Sequence, residues 1–342
     1  MKVTAVGDMF VPEEAFAKVL QHSDRVSEYT GTSWMAGADR AQARQIIRKI
    51  ETEGSRAYHI DGELRQAMTE AEVLFVHLCP VDAQLIREAK DLRYIVTMRG
   101  GLENIAVDEA KEQGVRIINC PLHNAYAVAE MTIGMIIGET RNLARSDAAL
   151  RHGEWREIYP DSGHIRELRS MTVGIIGFGA IGRLVAERLV PFGSRVLVCD
   201  PFADPADIKT QNCEPADMET LLTESDVVTL HARLKPGDPP IIGPAELMKM
   251  KKQAVLVNTA RAVLVNMDAL TRALQTNEIG GAAIDVYKSE PADPNLELFH
   301  LDNCTVTNHR CGDTEDAYLR APEMAFSQLC EAIDTGKTKY MV

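Results

Sequence analysis

The stretch Val173-Gly-Ile-Ile-Gly177-Phe-Gly179-Ala-Ile-Gly182 confines the chain more than any other. An apolar run leads into glycines spaced G-x-G-x-x-G, and an apolar-periodic segment, Ala180–Leu189, leaves them. That order requires a strand, a tight turn and a helix in immediate succession, the opening of a parallel strand–helix–strand unit. Gly177 permits the turn, Gly179 allows close approach to the backbone, and Gly182 lets the helix pack against the strand. The N–H groups of the first helical turn, aided by the helix dipole, then face a pyrophosphate. Arg195–Asp200 reads as the next strand. Its Asp200 is correctly spaced to accept hydrogen bonds from an adenosine ribose, and the competing role is a turn cap. A 2′-phosphate there would meet like charge, and Pro201 and Phe202 offer no cation, so NAD is expected over NADP.

The rest of the chain repeats this alternation. Before the glycine turn, candidate strands are Val3–Val6, Val73–Leu78, Tyr94–Met98 and Val115–Asn119, with helical patterns at Asp39–Thr52, Ala83–Ala89 and Val107–Gln113. Ala125–Asn142 reads as one long apolar helix, and Arg145–Ser170 as a polar loop or an extended arm against a second subunit. After the turn come Thr172–Gly177, Arg195–Asp200, Val227–His231, Ala254–Thr259, Gly281–Asp285 and Cys304–Thr307 as strands, then a helix over Asp313–Thr335. Short apolar runs alternating with amphipathic segments specify parallel sheets covered on both faces.

Length and composition narrow the function classes. The 342 residues suffice for two domains, and 45% apolar with 25% charged residues is globular composition. A net charge of −13 opposes a nucleic-acid partner, which needs a positive face. No apolar run approaches the roughly 20 residues that span a bilayer, so no membrane role is expected. Seven scattered cysteines without a Cys-x-x-Cys pair give no metal or disulfide framework, and point to a reducing cytoplasm.

Three later segments each end an apolar strand on one charged or titratable side chain: Asn258-Thr-Ala-Arg261, Asp285-Val-Tyr-Lys-Ser-Glu290-Pro, and Thr305-Val-Thr-Asn-His309-Arg-Cys-Gly312. Open α/β sheets gather ligands at such strand ends. With the mid-chain glycine turn and Asn124-x-x-x-Val-Ala-Glu130 before the long helix, these motifs span nearly the whole chain. Their order resembles the D-isomer-specific 2-hydroxyacid dehydrogenase family, which includes D-3-phosphoglycerate dehydrogenase and glyoxylate/hydroxypyruvate reductase.

The resemblance implies an α/β architecture of two doubly wound parallel-sheet domains, a Rossmann NAD domain inserted into a flavodoxin-like substrate domain. Residues 1–118 with 312–342 would form the substrate domain, and 119–311 the NAD domain with a dimerisation arm at about 125–170. The active site would lie in the cleft, and a homodimer is implied. His309 would carry the proton, since an imidazole titrates near neutrality, with Glu290 on its other ring nitrogen or as a neutral acid. Arg261 would hold the substrate carboxylate and polarise the keto oxygen. Cofactor contacts would come from Gly177, Gly179, Ala180, Ile181, Gly182 and Asp200, and from the strand ends His231, Thr259, Ala260 and Asp285.

Substrate contacts would come from Arg99, Gly100, Gly101 and Asn124. Arg99 either meets a substrate hydroxyl or phosphate or forms a structural salt bridge. Asp8–Phe10 and His77–Pro80 would wall the cleft or simply pack. Cys79 and Cys311 are expected to be inert.

The chain departs from its relatives around the histidine: Asn308 replaces a usual Pro, Arg310 a usual apolar residue, and Ala262 a usual Gly. Arg310 beside the site favours a polar, anionic or sugar-acid-like substrate. 3-Phosphoglycerate and glyoxylate or hydroxypyruvate are the alternatives, and the end at Val342 leaves no room for an added regulatory domain. Formate is disfavoured because that branch has Gln at the Glu290 position. A rival outside enzymology is an NAD-sensing corepressor on the same scaffold.

Overall fold

A computed structural model describes residues 1–235 and 237–342. Two units divide the chain, Met1–Asn124 with Thr314–Val342, and Ala125–Asp313.

The first unit is built on β1 (Lys2–Gly7), β2 (Glu28–Ser33), β3 (Val73–Val76), β4 (Tyr94–Thr97) and β5 (Arg116–Asn119), in the parallel order β2-β1-β3-β4-β5. This is the flavodoxin-like order, in which connections leave in opposite directions from the β1/β3 junction. Because side chains alternate along a strand, Val3, Ala5, Val73 and Phe75 fill one core with Ala321, Ala325 and Leu329 of the helix Glu315–Thr335. Val6, Leu74 and Val76 face the other core with Ile46, Ile50, Leu85 and Ile86. Strand β2 is absent from the sequence reading for a physical reason. Its segment, Glu-Tyr-Thr-Gly-Thr-Ser, lies at the sheet edge, is largely exposed, and carries no apolar run.

The second unit carries β6 (Thr172–Ile176), β7 (Arg195–Cys199), β8 (Glu214–Pro215), β9 (Val227–Leu230), β10 (Val255–Asn258), β11 (Gly281–Ile284) and β12 (Cys304–Val306). The order β12-β11-β10-β9-β6-β7-β8 is entirely parallel and reverses between β6 and β9. It is the doubly wound dinucleotide-binding order with one strand added at the edge. Several apolar runs overshoot their strands at the carboxyl end: Gly177, Asp200, His231, Thr259, Asp285 and Thr307 have already left the ladder.

Helix Ala125–Thr140 is buried around most of its circumference, which explains its unbroken apolar sequence. It stops earlier than the apolar pattern implied. Asn142 adopts a left-handed conformation with φ 56°, which asparagine tolerates better than most residues, and a separate helix follows over Leu143–Arg151. The start of the expected irregular arm is therefore helical. Only Ala149 of that helix is buried, so the apolar period that would reveal it is missing, while Asp147 and Arg151 pair one turn apart at 2.7 Å.

A buried ion pair ties these helices to the sheet. Glu139 accepts from Arg145 Nη2 at 2.7 Å and from Thr305 Oγ1 at 2.5 Å, and its side chain is 3% exposed. Burial pushes the Glu139 carboxyl up, against the pull of Arg145. Arg145 also donates to Asn142 Oδ1 at 3.1 Å and to the Asp302 carbonyl. Replacing Glu139 with Ala strands a buried guanidinium and should cost about 3–5 kcal/mol. Urea denaturation reads this directly, and an unchanged midpoint would show that the pair carries no net stability.

Candidate active site

The turn after β12 holds His309 in a conformation that most side chains avoid. Its φ is 56°, at a cost of about 1–2 kcal/mol for a non-glycine residue. Asp285, one residue past β11 and fully buried, supplies the restraint. Its carbonyl accepts the His309 N–H at 2.9 Å. Its Oδ1 accepts Thr307 Oγ1 at 2.6 Å and the Arg310 N–H at 2.8 Å, and its Oδ2 accepts the Cys311 N–H at 3.1 Å. Both Asp285 oxygens accept from the histidine turn, and Oδ2, with one donor, keeps a lone pair for the cofactor contact that the resemblance implies.

Glu290 reaches the same turn from the loop after β11. Its Oε1 accepts the Tyr287 N–H at 3.0 Å, and its Oε2 lies 2.6 Å from His309 Nδ1. A carboxylate only accepts, so Nδ1 carries the hydrogen, leaving Nε2 as the ring's free acceptor in the neutral state. The His309 side chain remains 49% exposed, so a small molecule can reach it. The neighbouring Asn308 lines a cavity of about 530 Å³ with Tyr287, Glu290, Phe299 and Thr307.

Of the three expected catalytic groups, the structure joins two. Arg261 follows β10 on a turn stapled by Asn258, whose Oδ1 accepts the Ala260 N–H at 3.1 Å and whose Nδ2 donates to the Arg261 carbonyl at 2.9 Å. The Arg261 side chain is exposed and donates to the Ala260 carbonyl at 2.7 Å. Among the described residues, no hydrogen bond links it to Glu290 or His309.

The glycine turn fits a dinucleotide. Gly177 has φ 96°, and a Cβ there would come within 2.6 Å of the Ala232 nitrogen. A Cβ on Gly182 would lie 2.1 Å from the Gly177 oxygen. These two glycines are required by packing within the turn. Gly179 differs: a Cβ there meets nothing within 4 Å, so the backbone stands open. Helix Ala180–Leu189 has no side-chain cap, and Gly179 and Ala180 are exposed while Ile181 is half-buried. Uncapped N–H groups at an open helix start suit a pyrophosphate.

Asp200 serves as a cap as well, accepting the Phe178 N–H at 2.6 Å and the Phe202 N–H at 2.8 Å. Each oxygen retains a second lone pair for a ribose hydroxyl. His231 is held through Nε2 by Thr229 Oγ1 at 3.0 Å, and its enclosed Nδ1 has no partner among the described residues. Burial drives its pKa down to about 3, so the ring is neutral. The Thr259 hydroxyl is spent on Thr132 at 2.8 Å, and Ala260 is half-buried beside it.

In the first unit, Gly100 and Gly101 follow β4. A Cβ on Gly100 would press to 3.1 Å on Pro121, and one on Gly101 would strike the Glu103 carboxylate at 2.3 Å. Arg99 pairs with Glu103 at 3.3 Å and Glu51 at 3.8 Å, so the salt-bridge reading describes it. Arg310, expected as a cation beside the histidine, pairs with Asp313 at 2.8 Å. Asn124 closes the first unit, directly before the long helix. Burial pushes the Cys79 and Cys311 thiols well up, which removes both as nucleophiles. Among the described residues, no group of three or more His, Cys, Asp or Glu side chains is placed to hold a metal, and no helix is long and apolar enough to cross a membrane.

Sequence reasoning missed that Asp8 and His77, 69 positions apart, form a buried pair at 3.0 Å. The available signal was that each follows the end of an apolar strand.

The model of the D-isomer specific 2-hydroxyacid dehydrogenase NAD binding domain matches residues 133–311. The hydroxypyruvate reductase of Thermotoga maritima is 32% identical over 285 residues, 82% of this chain and 91% of that protein. The D-3-phosphoglycerate dehydrogenase of Methanocaldococcus jannaschii is 34% identical over 78% of this chain, which spans only 51% of that protein. Among solved structures, a D-lactate dehydrogenase from Treponema pallidum has the same fold, with a TM-score of 0.77 over 100% of this chain and 99% of that one at 22% identity. The chain belongs to the D-isomer specific 2-hydroxyacid dehydrogenase family, and residues 133–311 match that family's NAD binding domain.

Proposed function

We propose that this chain interconverts a small hydroxylated D-2-hydroxy acid, of the hydroxypyruvate/glycerate type, and its 2-keto acid. The His309–Glu290 hydrogen bond of 2.6 Å carries the reading. NAD, when bound, would supply the acceptor for the hydride lost from carbon 2 in oxidation. His309 Nε2 takes the proton of the 2-hydroxyl, and the ring becomes an imidazolium. Glu290, already bonded to Nδ1–H, stabilises that charge and holds the tautomer that leaves Nε2 free. In reduction the same nitrogen returns the proton. Arg261, exposed and without a carboxylate partner among the described residues, is the cation assigned to the substrate carboxylate. Gly100, Gly101 and Asn124 complete the proposed substrate contacts.

A hydroxylated substrate is favoured over a phosphorylated one by electrostatics. Arg99 and Arg310, the cations that would answer a phosphate, are both engaged by carboxylates. The similarity to a hydroxypyruvate reductase over 91% of its length points the same way. Replacing His309 with Ala should lower kcat by about 10²–10⁴ while NADH binding, read by fluorescence titration, is retained. Wild-type turnover in that variant would remove His309 from the reaction. A wild-type chain that binds NADH yet turns over no 2-keto acid in a substrate panel would favour the corepressor reading instead.

Asp285 acts here as a positioning residue. Asp285→Ala leaves two backbone N–H groups without acceptors, each costing about 1–3 kcal/mol. The expected signature is a fall in kcat that exceeds any loss of NADH affinity. Equal losses in both would mean that Asp285 serves the cofactor after all.

The protein is further assigned as a cytoplasmic homodimer. Seven free thiols suit a reducing compartment. Leu143, Leu150, Trp155 and Ile158 are all exposed on the segment after the long helix, Trp155 by 81% and Ile158 by 78%, an apolar surface that association would cover. Light scattering should give twice the chain mass, and Trp155→Glu with Ile158→Glu should give one chain mass. A monomeric wild type would sink the assignment.

A further inference from the structure

We propose that the cavity beside Glu290 is a regulatory site for a small aryl-alkyl ammonium, whose occupation slows turnover by claiming the carboxylate that serves His309. The binding stands on the cavity alone, and the effect on turnover rests on the acid–base reading of His309 above.

Position sets this cavity apart from the reacting atoms. Its lining runs from Tyr287 to Asn308, all within the second unit, and includes Glu290 but not His309. Glu290 meets the imidazole at Nδ1, 2.6 Å away, whereas proton transfer is assigned to Nε2 on the other edge of the ring. A molecule seated against Glu290 therefore reaches the pair without touching the nitrogen that serves the substrate. The volume, about 530 Å³, is that of a small-molecule site.

The walls select the occupant's body. Tyr287 and Phe299 stand at 84° to one another with ring centroids 5.3 Å apart, and Pro291 and Val306 add apolar surface. The Tyr287 hydroxyl is spent on the carbonyls of Ile284 and Thr307, at 3.2 and 2.8 Å, so this residue offers its ring rather than its polar tip. Tyr287, Phe299 and Val306 are half-buried, an apolar lining that an aromatic ring would cover.

Polarity selects its charge. Of the described lining residues, Glu290 is the one that is charged at neutral pH. Its oxygens accept from the Tyr287 N–H at 3.0 Å and from His309, and each keeps a second lone pair. Asn308 adds an exposed amide whose oxygen is a further acceptor. An ammonium answers both groups with charge-assisted hydrogen bonds, and the two aromatic rings favour a cation at their faces. The 2-keto and 2-hydroxy acids are anions, so the same carboxylate repels them and the cavity rejects substrate and product. The coupling follows from charge. Reduction needs His309 as an imidazolium, which Glu290 stabilises; an ammonium on Glu290 offsets that stabilisation and places like charge beside the ring.

Calorimetric titration of the full chain with 2-phenylethylamine tests the site, with 2-phenylethanol and phenylacetate as neutral and anionic counterparts. The amine should bind once per chain, the alcohol about tenfold more weakly, and phenylacetate not at all. Ala292→Phe, which fills the cavity, and Phe299→Ala, which removes a wall, should each abolish amine binding while turnover without amine is unchanged. The second variant serves if the first does not fold. In the wild type, saturating amine should lower kcat for hydroxypyruvate reduction about tenfold with KM nearly unchanged. No saturable binding, equal binding of phenylacetate, or binding that survives in the folded variants would overturn the site. Competition with the keto acid would put the amine in the substrate's place and overturn it too. So would a variant that halves the mass of an amine-blind wild type, since a second copy would then fill the cavity. Amine binding that leaves kcat intact would overturn the regulatory role. A chain that binds the amine yet reduces no 2-keto acid would instead overturn the function on which the coupling rests.

Discussion

The orientation of the His309 imidazole depends on the backbone beneath it, and that backbone is held by one buried carboxylate. Asp285 is buried under the 307–311 turn and binds it through one carbonyl and two carboxylate oxygens. Those bonds, with the 2.6 Å contact to Glu290, hold His309 in the left-handed region. The arrangement inverts a common division of labour. The aspartate at the strand end binds the turn, while the half-exposed His309–Glu290 pair stands on that turn open to small molecules.

Much of this could be read in the chain before any coordinates. Periodicity located most strands because buried parallel strands are nearly continuous apolar runs, and the glycine spacing located the turn because its packing admits no Cβ at Gly177 or Gly182. The runs overshot their strands systematically at Asp200, His231, Asp285 and Thr307. Those residues continue the apolar segment in sequence but leave the ladder to hydrogen-bond turns or ring nitrogens. What was not legible shares one property, dependence on partners far away in the chain. Strand β2 exists because β1 offers it an edge, not because Glu28–Ser33 is apolar. Helix Leu143–Arg151 is held by the Glu139–Arg145 pair rather than by a buried face of its own.

Charge was the least transferable of the sequence signals. From the sequence Arg99 is either a substrate contact or a salt bridge, and Arg310 is a cation beside the histidine. Folding brings Glu103 and Glu51 to the first, and Asp313, three residues on, takes the second. In a chain with a net charge of −13, carboxylates outnumber cations, so an arginine that stays unpaired is more informative than one that merely lies near the site. Arg261 meets that description, with only a neighbouring carbonyl as its partner among the described residues.

The bond between Thr132 and Thr259 has a mechanical meaning. It runs from the buried face of helix Ala125–Thr140 to the turn that carries Arg261, 127 residues later. The arginine turn is thus tied to that helix as well as stapled by Asn258. A slide or roll of that helix would pull on the arginine turn through this hydroxyl-to-hydroxyl link as well as through its packing on β10.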